Sequence, residues 1–381
     1  MSGNRNISGL AKNTVKFIVS AHERKILIEQ KNVRKKQNQG IRQFDANAKK
    51  LVVFLVPGVD RQTGVDKISG GIISIVSICE ESAALKEIHG AEVIMCTLPN
   101  ELLLFRHTQF ANKTDVFRFN QLRSYFKQAE DIIIHLPEFT CDYFLEYLER
   151  EDKKWIDGLK KVHINILNQN IRLMPELNTI DKLKELAALV TATTAHQRYC
   201  NQQYRDKFGI PIHKFSVWIS PEKYSFTPYS KKENLIVVSP DLHMQKEEVL
   251  KKLASVNGLA IQIIQNLTYE QYKQTISRAK WAITFGEGLD GYIIEPIFSG
   301  AIGFAVYNEE FFTPDFRSLQ TIYPSYEQLL NNILSDIERL DNEGSFNAYQ
   351  QSQFDICASH YSQQEYRRNI ASFYKGSYTF P

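Results

Sequence analysis

The chain is short of cysteine, of net charge and of long apolar runs, and each shortage excludes something. Its five cysteines (Cys79, Cys96, Cys141, Cys200 and Cys357) are odd in number, scattered and never spaced C-x-x-C. Neither a disulfide framework nor a zinc site is indicated, and a reducing compartment fits. Lys and Arg number 46 against 43 Asp and Glu, a net charge of only +3, which argues against a polycation that coats nucleic acid. The longest apolar stretches, such as Leu51 to Pro57, fall far short of the roughly 20 residues that span a bilayer. Near the N-terminus, Val15 to Val19 is broken by Lys16 and followed by His22, Glu23, Arg24 and Lys25, which is not the compact apolar core of a secretory signal. A cytoplasmic protein is expected, without internal repeats or low-complexity tracts.

What is present is core material. Apolar residues make up 43% and aromatics 12% of 381 residues, enough for two domains. The small net charge hides an asymmetry: residues 1–50 hold twelve basic and three acidic side chains, so the rest of the chain is net −6. Beyond residue 50, short β-branched runs alternate with helical patterns, as in parallel sheets covered by helices. Strands are predicted at 51–56, 91–98, 131–136, 162–167 and 189–192, and in a second series at 234–239, 259–264, 281–285 and 302–306. Helices are predicted over 71–89, 139–150, 180–186, 245–255, 269–278, 292–298, 326–340 and 345–374. Between the series, Gly209, Pro211 and Pro221 forbid a regular helix and mark a linker over 208–221.

The segment from Thr284 to Val306 joins a buried strand to a glycine-rich turn, a helix, a small-residue stop and another strand. Gly286, Gly288 and Gly291 allow backbone to approach a ligand, and amides at the following helix start suit an anion such as a diphosphate. Glu287 stands in the turn and Glu295 about two helical turns on. Carboxylates so spaced either accept hydrogen bonds from a hydroxyl-rich ligand or sit on a solvated helix.

Glu287-x7-Glu295, followed by Pro296 and the stop at Ser299, Gly300 and Ala301, resembles the E-x7-E motif of retaining GT-B glycosyltransferases, especially family 4. The likeness extends over most of residues 50–340: Val190 to Tyr199 and on through Phe208, Val217 and Ser220 to Tyr224 is similar to the passage out of the family's first domain, and Ser69, Gly70 and Gly71 to its first glycine loop. Asp131 to His135 is similar to its strand ending in a cleft histidine. The resemblance implies an α/β GT-B fold: a basic extension over 1–48, a Rossmann-like acceptor domain over 49–210, a facing nucleotide-sugar domain over 211–345 and a C-terminal helix over 346–381 packing back on the first. It implies transfer, with retention, of a hexosyl unit from a nucleoside-diphosphate sugar to a glycan or lipid-linked glycan in bacterial surface polysaccharide synthesis. No cofactor and no metal are implied, and D-x-D is absent. Glu287 and His135 would be catalytic. Gly70, Gly71, Gly286, Gly288, Leu289, Asp290, Gly291, Tyr292 and Glu295 would bind the donor. Lys246 would grip the diphosphate, where the family's arginine is missing and His243, Ser239 or another basic residue must replace it. Asp290, where a glycine is common, would put a third carboxylate near the sugar.

Several residues carry two readings. His135 would orient a hydroxyl or be a hydrogen-bonded core residue. Glu138 would take an acceptor proton or cap a helix, and Asn168 and Asn170 would bind acceptor hydroxyls or build a turn. The basic head, with Leu10, Val15, Phe17, Ile18, Ile26, Leu27, Ile28 and Val33 among its lysines and arginines, would dock on an anionic membrane or a protein, or form a solvated helix; a nucleic-acid partner is not expected. Rival functions are a sugar-nucleotide epimerase of similar fold and a non-catalytic docking subunit.

Overall fold

The computed structural model describes residues 21–58, 70–101, 103–106, 114–217, 219–265 and 267–381. Helix α1 (Ala21–Gly40) leads into a sheet of β1 (Lys50–Val56), β2 (Glu92–Thr97), β3 (Val116–Arg118), β4 (Asp131–Pro137), β5 (Lys161–Asn168), β6 (Leu189–Thr194) and β7 (Ile212–Lys214). All neighbours pair in parallel, in the order β3-β2-β1-β4-β5-β6-β7. Its crossovers are α2 (Gly70–Ala84), α3 (Lys86–His89), α4 (Phe119–Tyr125), α5 (Cys141–Tyr147), α6 (Arg150–Asp157), α7 (Leu177–Leu186) and α8 (Gln202–Phe208). Six of the seven β1 residues are buried, as expected for a parallel strand covered on both faces.

The second sheet comprises β8 (Glu233–Val238), β9 (Ala260–Ile263), β10 (Ala279–Ile283), β11 (Ile302–Val306) and β12 (Ile322–Tyr323), again parallel, in the order β12-β11-β10-β8-β9. Its helices are α9 (Lys246–Leu253), α10 (Tyr269–Arg278), α11 (Gly291–Phe298) and α12 (Tyr326–Leu340), followed by α13 (Glu343–His360) and α14 (Gln363–Tyr374). Among the described residues no helix is long and apolar enough to cross a membrane.

Nine strands stand where the hydrophobic runs predict them. The unpredicted β3, β7 and β12 have three, three and two residues, too few for a period of two to register. Strand β7 lies inside the predicted linker. It pairs with β6, and Ile212 also bridges to Phe380, so the first domain runs past residue 210. The chain leaves it at Ser216, a non-glycine residue at φ 71°.

The C-terminal helix also differs from expectation. The stretch 345–374 is broken at Tyr361 and Ser362, and the Ser362 hydroxyl accepts a hydrogen bond from the Glu365 amide to start α14. Helix α13 stays with the second domain: Gln353 exchanges hydrogen bonds with the Gly303 backbone, donating at 2.8 Å and accepting at 2.8 Å. Only α14 crosses back, burying Tyr366, Ile370 and Phe373 against β1, α2 and Phe215.

Candidate functional site

The site grows from the end of β10. Thr284 and Phe285 are buried, and the Phe285 amide donates to the Ser239 hydroxyl at 3.0 Å, which ties the ends of β10 and β8 together. The chain then turns through Gly286 and Gly288. Gly288 lies at φ 91°, and a Cβ there would stand 2.5 Å from the Phe312 ring and 3.0 Å from the Val306 carbonyl. A side chain would fail on both counts. Asp290 caps α11, its Oδ1 accepting from the Tyr292 amide at 2.8 Å and its Oδ2 from the Thr284 hydroxyl at 2.8 Å. Its carboxyl is pushed up to about 7, chiefly by burial and then by Asp241 and Glu287. Two expectations change here. The Tyr292 amide is already occupied, and Asp290 braces the turn rather than presenting a free carboxylate.

Glu295 folds back on the first turn of α11. A Cβ on Gly291 would stand 2.7 Å from its Oε1, so a larger residue there would push the Glu295 carboxylate aside. The side chain is 7% exposed, and its Oε2 has no hydrogen-bond partner. Burial pushes its carboxyl up to about 8 against the pull of the Tyr224 and Tyr272 hydroxyls and of Lys223. Leu289 is buried in the apolar core beneath this turn.

The first domain supplies the opposite wall. Asn170, just after β5, donates from Nδ2 to Glu287 Oε1 at 3.0 Å, and its own amide donates to Glu138 Oε1 at 3.1 Å. Glu138 follows β4, is 4% exposed and leaves Oε2 without a partner. Burial first, and Glu287 among the later causes, push it up to about 7. Burial likewise raises Glu287, while Arg172 pulls it down. Arg172 is ion-paired with Glu310 of the second domain. Glu138, Asn170 and Glu287 thus form a hydrogen-bonded chain across the cleft.

Other predicted site residues stand elsewhere or are engaged. His135 is wholly buried, not at the cleft: β4 runs two residues further, and α14 covers it. Its ring stacks on Phe54 with centroids 4.3 Å apart, Nδ1 accepts from Asn165 Nδ2 at 3.0 Å, and Nε2–H donates to the Tyr374 hydroxyl at 3.2 Å. Burial holds it well below the ordinary histidine value, so it is a neutral packing residue. The Lys246 ammonium donates to the Ser239 carbonyl at 2.6 Å and the Asp241 carbonyl at 2.8 Å, holding the loop after β8 rather than standing free. His243 stacks on Tyr326 at 3.9 Å, and Ser239 is spent on Phe285. Asn168 is 3% exposed and donates to the Asn170 carbonyl at 3.1 Å, which is the turn-building reading. Gly70 and Gly71 open α2, and the Gly71 carbonyl accepts from Gln169 at 2.9 Å; Ser69 lies outside the described residues.

Sequence reasoning missed Arg172, Asp241 and the tyrosines around Glu295. Arg172 stands two residues beyond Asn170 and was within reach of a pattern argument. Tyr224 comes from the segment between the linker and β8, and Tyr269 and Tyr272 from α10; they meet Glu295 only in the folded chain.

No protein-family profile matches the chain, and no curated protein matches it significantly by sequence. Solved structures do match in shape. An alpha-glucosyltransferase in complex with UDP-glucose and DNA containing an abasic site superposes with a TM-score of 0.54 at 9% identity, covering 86% of this chain and 99% of that one. The same kind of enzyme in complex with UDP gives 0.53 at 10% identity, covering 86% and 99%. Sucrose-phosphate synthase from Thermosynechococcus elongatus gives 0.52 at 10% identity, covering 86% and 98%. The likeness is one of fold: two Rossmann-like domains in the GT-B arrangement, with a C-terminal helix returning to the first.

Proposed function

We propose that the chain is a glycosyltransferase that takes a hexosyl unit from a UDP-sugar and transfers it with retention to a glycan or lipid-linked glycan. The observation that carries this reading is the pairing of Glu287 and Glu295 around a glycine turn and a helix start, with Glu138 and Asn170 opposite. Glu295 Oε2 and Glu138 Oε2, buried without partners, each want a donor that a sugar hydroxyl would supply. In this reading Glu295 holds the ribose and Glu287 the transferred sugar, while backbone amides from Gly288 to Gly291 and the start of α11 face the diphosphate. Arg172 takes the place of the missing arginine once its pairing with Glu310 is exchanged for phosphate. The bond from the anomeric carbon to the diphosphate oxygen breaks, the acceptor oxygen adds on the same face, and its proton passes to the departing diphosphate. Stabilisation of that leaving group is the main catalytic contribution. Glu138, raised to about 7, positions the acceptor hydroxyl. UDP and GDP sugar conjugates report on this by thermal shift: a rise with UDP and UDP-sugars, lost in Glu295→Ala, is expected. No shift with any nucleotide would overturn the reading, and sugar conversion without an acceptor would favour an epimerase.

A further inference from the structure

A groove on the far edge of the first domain has features the donor cleft does not explain. It encloses about 650 Å³ between the end of α1, β3 and α4, and Asn38, Arg42, Arg118, Asn120, Arg123 and Tyr125 line it. Strand β3 is outermost in its sheet, separated from β4 of the cleft by β2 and β1, so the groove is a separate place. Its charges do not balance. Arg123 is answered by Asp152 and Glu149. Among the described residues, half-buried Arg118 has only neutral partners, Gln121 Oε1 at 3.3 Å and Asn38 Oδ1 at 3.2 Å. Asn38 Oδ1 also accepts from Gln121 Nε2 at 3.1 Å, which fixes the guanidinium in place. Burial and Arg34 both oppose its charge. Arg42 is exposed and has no hydrogen-bond or ion-pair partner among the described residues.

We propose that this groove binds a phosphate group carried on a hydroxyl-rich molecule. A fixed guanidinium with no counterion among the described residues, and a second, unpaired one among them lining the same groove, suit the paired oxygens of a phosphate. The volume lies in the range of small-molecule sites, about 300–1,000 Å³, and so has room for the group that bears the phosphate. Asn38 and Ser124 stand at the wall to meet hydroxyls. Helix α1, with Arg24, Lys25, Lys31, Arg34, Lys35 and Lys36 along it, extends the positive field and raises the local concentration of anions. The same chemistry is met in a soluble sugar phosphate and in a phospholipid headgroup.

Calorimetric titration of the full chain with glycerol 3-phosphate, and co-sedimentation with phosphatidylcholine vesicles with or without phosphatidylglycerol, test it. Saturable binding of glycerol phosphate is expected, weakened at least about tenfold in Arg42→Glu by loss of a charge-assisted contact. Arg42 is exposed and unpaired among the described residues, and Arg118→Gln serves as a second variant. Binding of phosphatidylglycerol vesicles that depends on Arg42 supports a headgroup as the source; binding of the soluble ligand alone supports a free sugar phosphate. No saturable binding, equal binding by both variants, or equal uptake by neutral vesicles overturns the proposal. Arg42→Glu should keep its thermal response to UDP, so failure here and failure of the donor reading are distinguishable.

Discussion

Glu287 and Glu295 share a motif but sit in different surroundings, and that difference is testable. Glu287 meets a neutral amide from the opposite domain, whereas Glu295 is enclosed by tyrosines beneath α11. Glu287→Ala is expected to weaken UDP-sugar binding about tenfold while leaving UDP binding little changed, and Glu295→Ala to weaken both, as calorimetry would show. Protonation adds a second expectation. Glu138 and Asp290 are raised to about 7 and Glu295 to about 8, so the folded chain keeps protons that the unfolded chain releases above the ordinary carboxylate range near 4. Their contribution to stability is whole below about pH 4 and is lost as pH rises through 7 to 8. Melting between pH 5 and pH 8 should therefore show a fall of about 1 kcal/mol or more per group. Glu295→Gln, which cannot ionise, should show a smaller fall.

The elements that matter most are the turn before α11 and the returning α14. Gly288→Ala forces a left-handed backbone on a residue with a Cβ and drives that atom into Phe312. A loss of about 2–3 kcal/mol in denaturant unfolding is expected, with loss of UDP binding, because the turn cannot keep its shape. Phe373 of α14 packs on Phe215 with ring centroids 5.1 Å apart and is 1% exposed. Phe373→Ala should cost about 3–5 kcal/mol. His135, His163 and His213 all lie against the Phe373 ring. Burial keeps them neutral, so acidification that charges them should loosen α14 first, which hydrogen exchange would report.

Across the whole molecule the two domains meet through Asn170 and Glu287, through Arg172 and Glu310, and through His196 against Phe311 with centroids 5.5 Å apart. The ion pair is exposed and contributes little to stability. Its place at the cleft mouth lets it bias the angle between domains. Arg172→Ala combined with Asn170→Ala should raise the radius of gyration in solution scattering without UDP and leave the melting temperature nearly unchanged. An unchanged radius would mean that the linker and α14 alone set the angle.

Periodicity and turn residues by themselves determined nine strands, several of the helices between them and the glycine turn carrying Glu287, because buried parallel strands and amphipathic helices write long local patterns into sequence; α4 and α6 were not among the predicted helices. Strands β3, β7 and β12 left no such pattern at two or three residues and exist through pairing with longer neighbours. Tertiary structure alone decided that His135 is a core residue. A strand end reads the same whether solvent or a helix more than 200 positions later covers it, and α14 is what removes that ring from the cleft. It also decided that Lys246 serves a loop, that three tyrosines enclose Glu295, and that Arg118 faces a groove without a counterion among the described residues. Each of these depends on partners that only folding brings within reach.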